Sequence, residues 1–255
     1  MKKNIIITSG PTNERLDAVM KITNMSTGAL GAKIADDFII NQKEQIGKLY
    51  YLSTKLSKKP NVSSSKLECI TIESTDDLIN ELKKLLTNNK IDTVIHSAAV
   101  GDYKGEYSIT ASMLAEEIAK KIYNQKQSLE KLKEEILSII RNPETTVSDE
   151  HKISSYEQDL MFKLELTPKV IWEIKKISPT TDLIGFKLLD GVPLEELIEV
   201  ATKLREKNQA EYIIANDLSK IGGGKHLAYF VGEKGIEYTC ETKEEIAKTL
   251  RKVIF

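Results

Sequence analysis

The stretch Ile5-Ile6-Ile7-Thr8-Ser9-Gly10-Pro11-Thr12, continued by Asn24-Met25-Ser26-Thr27-Gly28-Ala29-Leu30-Gly31, decides the reading of this chain. Its first half is an apolar run rich in β-branched residues, the pattern of a buried strand. From Ala29 to Gln42 the period changes, and Leu30, Ile34, Ala35, Phe38 and Ile39 share one helical face. The polar loop between the two is longer than the about 2–6 residues usual for a βα connection. A strand feeding a Ser/Thr/Gly-rich helix start is a natural phosphate site, because the first-turn N–H groups point outward and the helix dipole adds partial positive charge. The same residue types serve an ordinary capped helix. The glycine spacing is not G-x-G-x-x-G, so no standard dinucleotide fingerprint is present.

Outward from this stretch, apolar strands and amphipathic helices alternate. Strands are expected at Lys48–Thr54, Leu67–Ile72, Thr93–Val100, Met161–Leu166, Leu183–Leu189 and Tyr212–Asp217. Helices are expected at Asp76–Leu86, capped by Thr75, and at Leu194–Asn208. A further helix starts with Thr167 as cap and Pro168 at its first position. Two short strands (Leu227–Val231, Ile236–Thr239) follow a Gly222-Gly223-Gly224 turn, and Thr242 caps the last helix, Lys243–Val253. This order predicts an α/β, Rossmann-like three-layer fold with a mostly parallel sheet, a small antiparallel extension, and a single domain over 1–255. Residues 109–141, dense in Glu and Lys with apolar residues at helical spacing, read as a helical insert. The apolar-poor segment 143–158 reads as a mobile loop.

The totals exclude several classes. The 255 residues carry 37 basic and 38 acidic side chains, a net charge of −1, which makes no electrostatic case for nucleic acid or an anionic membrane. Two cysteines, Cys69 and Cys240, suggest no disulfide framework or zinc site. No apolar run approaches the roughly 20 residues of a membrane span. The opening Met1-Lys2-Lys3 leads into a strand, not a signal peptide, so a cytoplasmic protein is expected.

Polar residues cluster at expected strand ends: Gly10–Thr12, Ser97–Asp102, Gly185–Lys187 and Asn216-Asp217. In a parallel sheet such ends face the ligand crevice. Lys203 and Lys207 lie one helical turn apart, a spacing that suits both a phosphate clamp and a solvated face. The three histidines, His96, His151 and His226, show no metal spacing, and no G-x-S-x-G elbow or Walker A lysine is present. The residues by themselves indicate a nucleotide- or phosphate-binding α/β protein.

These motifs, taken in order, resemble the phosphopantothenate–cysteine ligase family (phosphopantothenoylcysteine synthetase) of coenzyme A synthesis. Ile7-Thr8-Ser9-Gly10-Pro11-Thr12-Asn13-Glu14 with Leu16-Asp17 is similar to its first motif, and Ile22-Thr23-Asn24-Met25-Ser26-Thr27-Gly28, closing at Gly31, to its second. Ala98-Ala99-Val100-Gly101-Asp102-Tyr103 matches its Ala-Ala-Val-x-Asp-Tyr segment, and Lys152-Ile153-Ser154-Ser155 resembles its lysine-bearing loop. Ile184–Leu188 and Lys203 through Asp217 complete the set. The flavin-dependent decarboxylase domain often fused to the bacterial enzyme is not seen, so the likeness is to the free-standing form.

The resemblance implies a two-step reaction. The carboxylate of 4′-phosphopantothenate attacks the α-phosphate of a nucleoside triphosphate, CTP in bacterial members and ATP in animal ones; the amine of L-cysteine then displaces the nucleotide. It implies Mg²⁺ as cofactor, a homodimer, and Asn24 and Lys152 as catalytic residues. Asn24 would donate its amide to the oxyanion of the second step, and Lys152 would pair with phosphate. Gly10, Ser97, Ala98, Asp102, Pro168, Ile171, Phe186, Lys203 and Lys207 fall at nucleotide-binding positions. Ser26, Thr27, Gly28, Asn216 and Asp217 fall at substrate- or phosphate-binding positions; no metal ligands are assigned. Where the family carries Arg before its Asn motif, this chain has Met20, followed by Lys21. Two other classes fit the fold: an NAD(P)-dependent oxidoreductase, against which the missing fingerprint counts, and an inactive nucleotide-binding homologue.

Overall fold

The computed structural model describes residues 2–123 and 127–255. Where one domain is expected, the chain divides into two compact units: Met1–Asn13, Thr23–Gly101 and Pro168–Phe255 form the first, Glu14–Ile22 and Asp102–Thr167 the second.

The first unit is built on an eight-stranded sheet. Six strands run parallel: β1 (Lys3–Ser9), β4 (Ile46–Ser53), β5 (Leu67–Thr71), β6 (Thr93–His96), β9 (Asp182–Leu189) and β10 (Tyr212–Gly222). Their spatial order, β5-β4-β1-β6-β9-β10, is the 3-2-1-4-5-6 of a doubly wound dinucleotide fold. Antiparallel β11 (Lys225–Gly232) and β12 (Gly235–Cys240) extend it. β1 is central, so its residues alternate between two buried faces. Ile5 and Ile7 join the core under α1 (Ala29–Gln42) and α7 (Lys243–Ile254), while Ile6 joins the one under α2 (Thr75–Asn88), α5 (Val170–Ile177) and α6 (Leu194–Asn208).

The close seat of α1 on β1 depends on Gly31. A Cβ there would lie 2.3 Å from Ser9 Oγ, 2.5 Å from Ser9 Cβ and 3.1 Å from Ser97 Oγ. The ends of β1 and β6 are joined by polar groups: Thr8 Oγ1 shares a 2.8 Å hydrogen bond with His96 Nδ1 and accepts one from Ala98 N. The Ser97 hydroxyl donates to Thr8 O.

The second unit holds an antiparallel ribbon, β7 (Tyr103–Thr110) with β8 (Leu160–Leu166), and two helices, α3 (Ala111–Ile122) and α4 (Leu129–Arg141). The half-buried Tyr107 hydroxyl donates to Ile140 O, and both carboxylate oxygens of buried Glu117 accept from Glu144 N at 3.0 Å. The excursion Glu14–Ile22 begins within β2 (Asn13–Arg15) and ends within β3 (Lys21–Thr23), which pair as a two-stranded ribbon.

Several element boundaries differ from those expected. Ile109 and Thr110 stay in strand β7, and Thr110 caps α3 by accepting from Met113 N. β6 ends at His96, not Val100. Ser74 caps α2 in place of Thr75, because Asp77 at the third helical position completes a reciprocal capping box with it. α5 begins at Val170 with Lys169 as its cap residue, two positions beyond Thr167, and the Thr167 amide donates to Asp102 O at the end of the β7–β8 ribbon. Segment 143–158 carries two fixed points: Val147, bridged to Ser108, and Ile153, 6% exposed.

Gly31→Ala forces the added methyl into Ser9. Overpacking of this kind costs about 1–3 kcal/mol. Thermal or denaturant unfolding should show that loss, and Ser9→Gly in the same chain should recover part of it; additive losses would mean that the contact does not limit the approach of α1.

Burial pushes the His96 imidazole down to about 4. The native state therefore binds fewer protons than the unfolded chain below the usual value of about 6.5. Stability contributed by this site is intact above that pH and is lost as pH falls toward 4, by about 3 kcal/mol in all. His96→Gln should flatten the unfolding free energy between pH 6.5 and 4 relative to the parent protein, and equal slopes would refute a buried neutral imidazole.

Candidate nucleotide and phosphate site

In the first unit the strand order reverses between β1 and β6, so the crevice at their carboxyl ends is the switch point where ligands bind in open α/β sheets. Three glycines shape it. Gly10 (φ +77°) turns the chain off β1, and Gly28 (φ +74°) turns it into α1. Gly31 seats that helix. These are the three tasks of a dinucleotide fingerprint: a tight turn, close backbone approach and helix–strand packing. Here the fingerprint is split, with residues 11–27 inserted between its first and second glycines. That is why the spacing alone does not reveal it.

The N-terminus of α1 has features that suit an anion. Its cap residue is Gly28, with no side-chain cap and no acidic residue in the first turn. The Ser9 hydroxyl donates to Gly28 O, Gly28 N donates to Ser26 Oγ at 3.4 Å, and Thr27 O accepts from Lys58 N. Gly10, Ser26, Thr27 and Gly28 are thus brought together around one helix start. At the end of β4, where an NAD-binding fold places an acid for the ribose, Ser53 and Thr54 stand instead. Lys59 Nζ donates to Ser53 Oγ (2.6 Å) and Thr54 O (3.0 Å).

On the other side of the switch point, Ala99 N donates to Gly10 O, so Ser97 and Ala98 border the same crevice. Asn24 is exposed and lies across this segment, its Nδ2 donating to Ala99 O (3.1 Å) and Val100 O (3.0 Å). Its amide hydrogens therefore already face two carbonyls. Gly101 N donates to buried Thr12 Oγ1, which fixes the return of the chain.

His96 pairs with Gly185, and Phe186 follows, half-buried, on β9. Ile171 packs into the core from α5; Pro168 is exposed just before that helix. Lys207 Nζ sits 4.1 Å from the centroid of the Trp172 ring, and Lys203 pairs with Glu199 one turn back, so the two lysines use different partners. Asn216 and Asp217 are buried and engaged. Asn216 Nδ2 donates to Leu227 O, tying β10 to β11. Asp217 Oδ1 accepts from Gly191 N, Ser219 N and Ser219 Oγ, and those donors, Gly191 N foremost, hold its carboxyl below the usual carboxylate range. As placed, Asp217 organises two turns and offers phosphate a negative charge.

Asp102 and Lys152 belong to the second unit, both exposed. Lys152 follows directly on the segment 143–151 and precedes buried Ile153, whose amide donates to Asp17 Oδ2 at 3.0 Å. The sequence reading gave no role to Asp17, Gly31 or Trp172. For Asp17 a signal exists, since Asp commonly accepts from amides two and three residues on.

Comparison with known proteins places this geometry. A profile for the DNA/pantothenate metabolism flavoprotein C-terminal domain matches residues 1–134 and 141–255. The coenzyme A biosynthesis bifunctional protein CoaBC of Thermococcus kodakarensis is 27% identical over 249 residues, 97% of this chain and 50% of that protein. The chain spans about half the length of the curated relatives it matches. The DNA/pantothenate metabolism flavoprotein of Streptococcus pneumoniae superposes with a TM-score of 0.79 at 34% identity, covering 99% of this chain and 98% of that one. A Cab2 mutant in complex with phosphopantothenate-cysteine shares the fold at a TM-score of 0.64 and 16% identity, over 99% of this chain and 86% of that one. The chain belongs to the DNA/pantothenate metabolism flavoprotein C-terminal domain family.

Proposed function

We propose that this protein joins 4′-phosphopantothenate to L-cysteine through an acyl-nucleotide, giving 4′-phosphopantothenoylcysteine, a nucleoside monophosphate and pyrophosphate. The observation that carries the reading is the glycine-lined, uncapped start of α1 at the switch point, found in a chain of this family. Such a helix start suits the phosphates of a nucleotide substrate. The two-step course follows from the chemistry: an amine does not displace an oxygen of a free carboxylate until that oxygen becomes part of a good leaving group. CTP is the proposed nucleotide ahead of ATP. The working form is proposed as a cytoplasmic homodimer. Mg²⁺ is proposed as a companion of the triphosphate. Magnesium commonly binds through substrate phosphates and water.

The deciding experiment is pyrophosphate release with phosphopantothenate and each of CTP and ATP, followed by cysteine-dependent release of the monophosphate. Pyrophosphate from one nucleotide, then product on addition of cysteine, is the expected result. No release with either, together with hydride transfer to NAD(P), would replace the ligase by an oxidoreductase.

Asn24 is proposed as the amide donor to the oxyanion of the second step. To act so it must exchange the Ala99 and Val100 carbonyls for the developing negative charge, a stronger acceptor. Asn24→Asp removes the donor and sets a carboxylate against those two carbonyls. The second step should slow by about 10²–10³, the usual effect of losing one oxyanion donor. Acyl-nucleotide should then be isolable by chromatography, and unchanged turnover with cysteine would remove Asn24 from the mechanism.

Segment 143–158 is proposed as a lid that orders over the triphosphate through Lys152, shielding the acyl-nucleotide from water. Lys152→Gln should slow the first step and leave the unfolding midpoint unchanged, since this side chain is exposed. Limited proteolysis should cut the free protein between Asn142 and Asp159, more slowly with CTP and Mg²⁺. A fully active variant with cleavage indifferent to nucleotide would show that the lysine serves another purpose.

A further inference from the structure

One carboxylate in the second unit grips two segments far apart in sequence. Asp17 is 3% exposed. Its Oδ1 accepts from Val19 N at 2.7 Å and Met20 N at 2.6 Å, and its Oδ2 accepts from Ile153 N at 3.0 Å. The first pair closes a tight turn, and the third bond reaches across 136 positions of sequence to the lysine segment. At that point Ile153 is buried, while Lys152 before it and Ser154 after it are exposed. The backbone at 153 is thus fixed by one charged hydrogen bond and one buried side chain, and the ammonium of Lys152 is left at the surface beside the anchor. The donors on Asp17, with Ile153 N the strongest, hold its carboxyl below the usual carboxylate range, and the Lys152 charge adds to this. The same grip sets the turn that ends in Met20.

We propose that Asp17 is a positioning residue: it latches the Lys152 segment to the 17–20 turn, so that the lysine is presented from a fixed backbone while the residues before it remain able to move. The proposal rests on the reading of Lys152 as the phosphate partner of the first step. A side chain with a single acceptor oxygen cannot serve both grips, so Asp17→Asn must release either Ile153 or the turn. A bond to a charged acceptor holds such a segment closed by about 10- to 100-fold, and displacement of a catalytic group by about 1 Å costs on the order of 100-fold in rate.

The test compares Asp17→Asn, the milder Asp17→Glu, Lys152→Gln and the double variant Asp17→Asn/Lys152→Gln. In Asp17→Asn, tryptic cleavage after Lys152 should quicken by about tenfold or more. Pyrophosphate release in a single turnover should slow by about 10- to 100-fold, with KM for cysteine unchanged. Asp17→Glu, which keeps both acceptors, should lie between this variant and the parent in both readouts, and it stands in if Asp17→Asn does not fold. The double variant should be no slower than Lys152→Gln alone, because Asp17 acts through the lysine; a general structural role would make the two losses multiply. Slow Lys152→Gln with full-speed Asp17→Asn, or multiplied losses in the double variant, overturns the latch and leaves the ligase reading standing. A full-speed Lys152→Gln removes the first-step role of Lys152 and the latch with it.

Discussion

The contact between Gly31 and Ser9 is the constraint on which the first unit depends. Ser9 is the last residue of the central strand, and its side chain occupies the volume that any Cβ at position 31 would need. With that space empty, α1 lies close on β1, and its N-terminus comes to the carboxyl end of the sheet beside the Gly10 turn. The burial of Ile34, Ala35 and Phe38 against Ile5 and Ile7 follows from the same approach. A helix held a few ångströms further out would leave voids in that core and withdraw its first-turn amides from the crevice, so packing and anion binding are two results of one contact.

That contact also explains how seventeen residues fit between Gly10 and Gly28 without harm to the fold. The two glycines meet in space whatever the chain does between them, since the Cα of Gly10 lies 3.2 Å from where a Cβ of Gly28 would stand. Closing a longer loop adds little entropy cost, about 0.6 kcal/mol per doubling of length. The interval is thereby free to carry other parts: Asn24, lying over Ala99 and Val100, and the Asp17 turn.

The fold was legible wherever burial was local and periodic. The β-branched runs of β1, β6 and β10 and the amphipathic faces of α1, α6 and α7 read directly, because the residues that make each element also bury it. The cap of α7 read for the same reason: Thr242 accepts from Glu245 N three residues on. What did not read was set by partners distant in sequence. Thr167 resembles a helix cap, but its amide pairs with distant Asp102 and the helix starts only at Val170, with Lys169 as its cap residue. Asp217 resembles a polar strand tip open to a ligand, but Gly191 and Ser219 use its oxygen. The local turn at Asp17 has a signal in the sequence, but its bond to Ile153, 136 positions on, has none, and segment 143–158 is apolar-poor without being unanchored. In the site, the helix start and its glycines could be found from residue type. The split fingerprint could not, because only folding brings its parts to the right spacing.

The magnitudes of existing contacts decide which lysines of the first unit can serve a phosphate. Lys203 is exposed and paired with Glu199 on its own helix, an arrangement that water readily replaces, so a phosphate can take the ammonium. Lys207 lies over Trp172, a cation–π contact worth about 0.5–1 kcal/mol at an exposed site, less than a charge-assisted bond to phosphate returns. Lys59 differs. It is half-buried at the end of β4, its ammonium satisfied by Ser53 and Thr54, and burial pushes its pKa down. Drawing it away would strip donors from buried acceptors, each at about 1–3 kcal/mol. Lys59 is therefore part of the scaffold that holds the β4 end, while Lys203 and Lys207 hold partners that cost little to exchange.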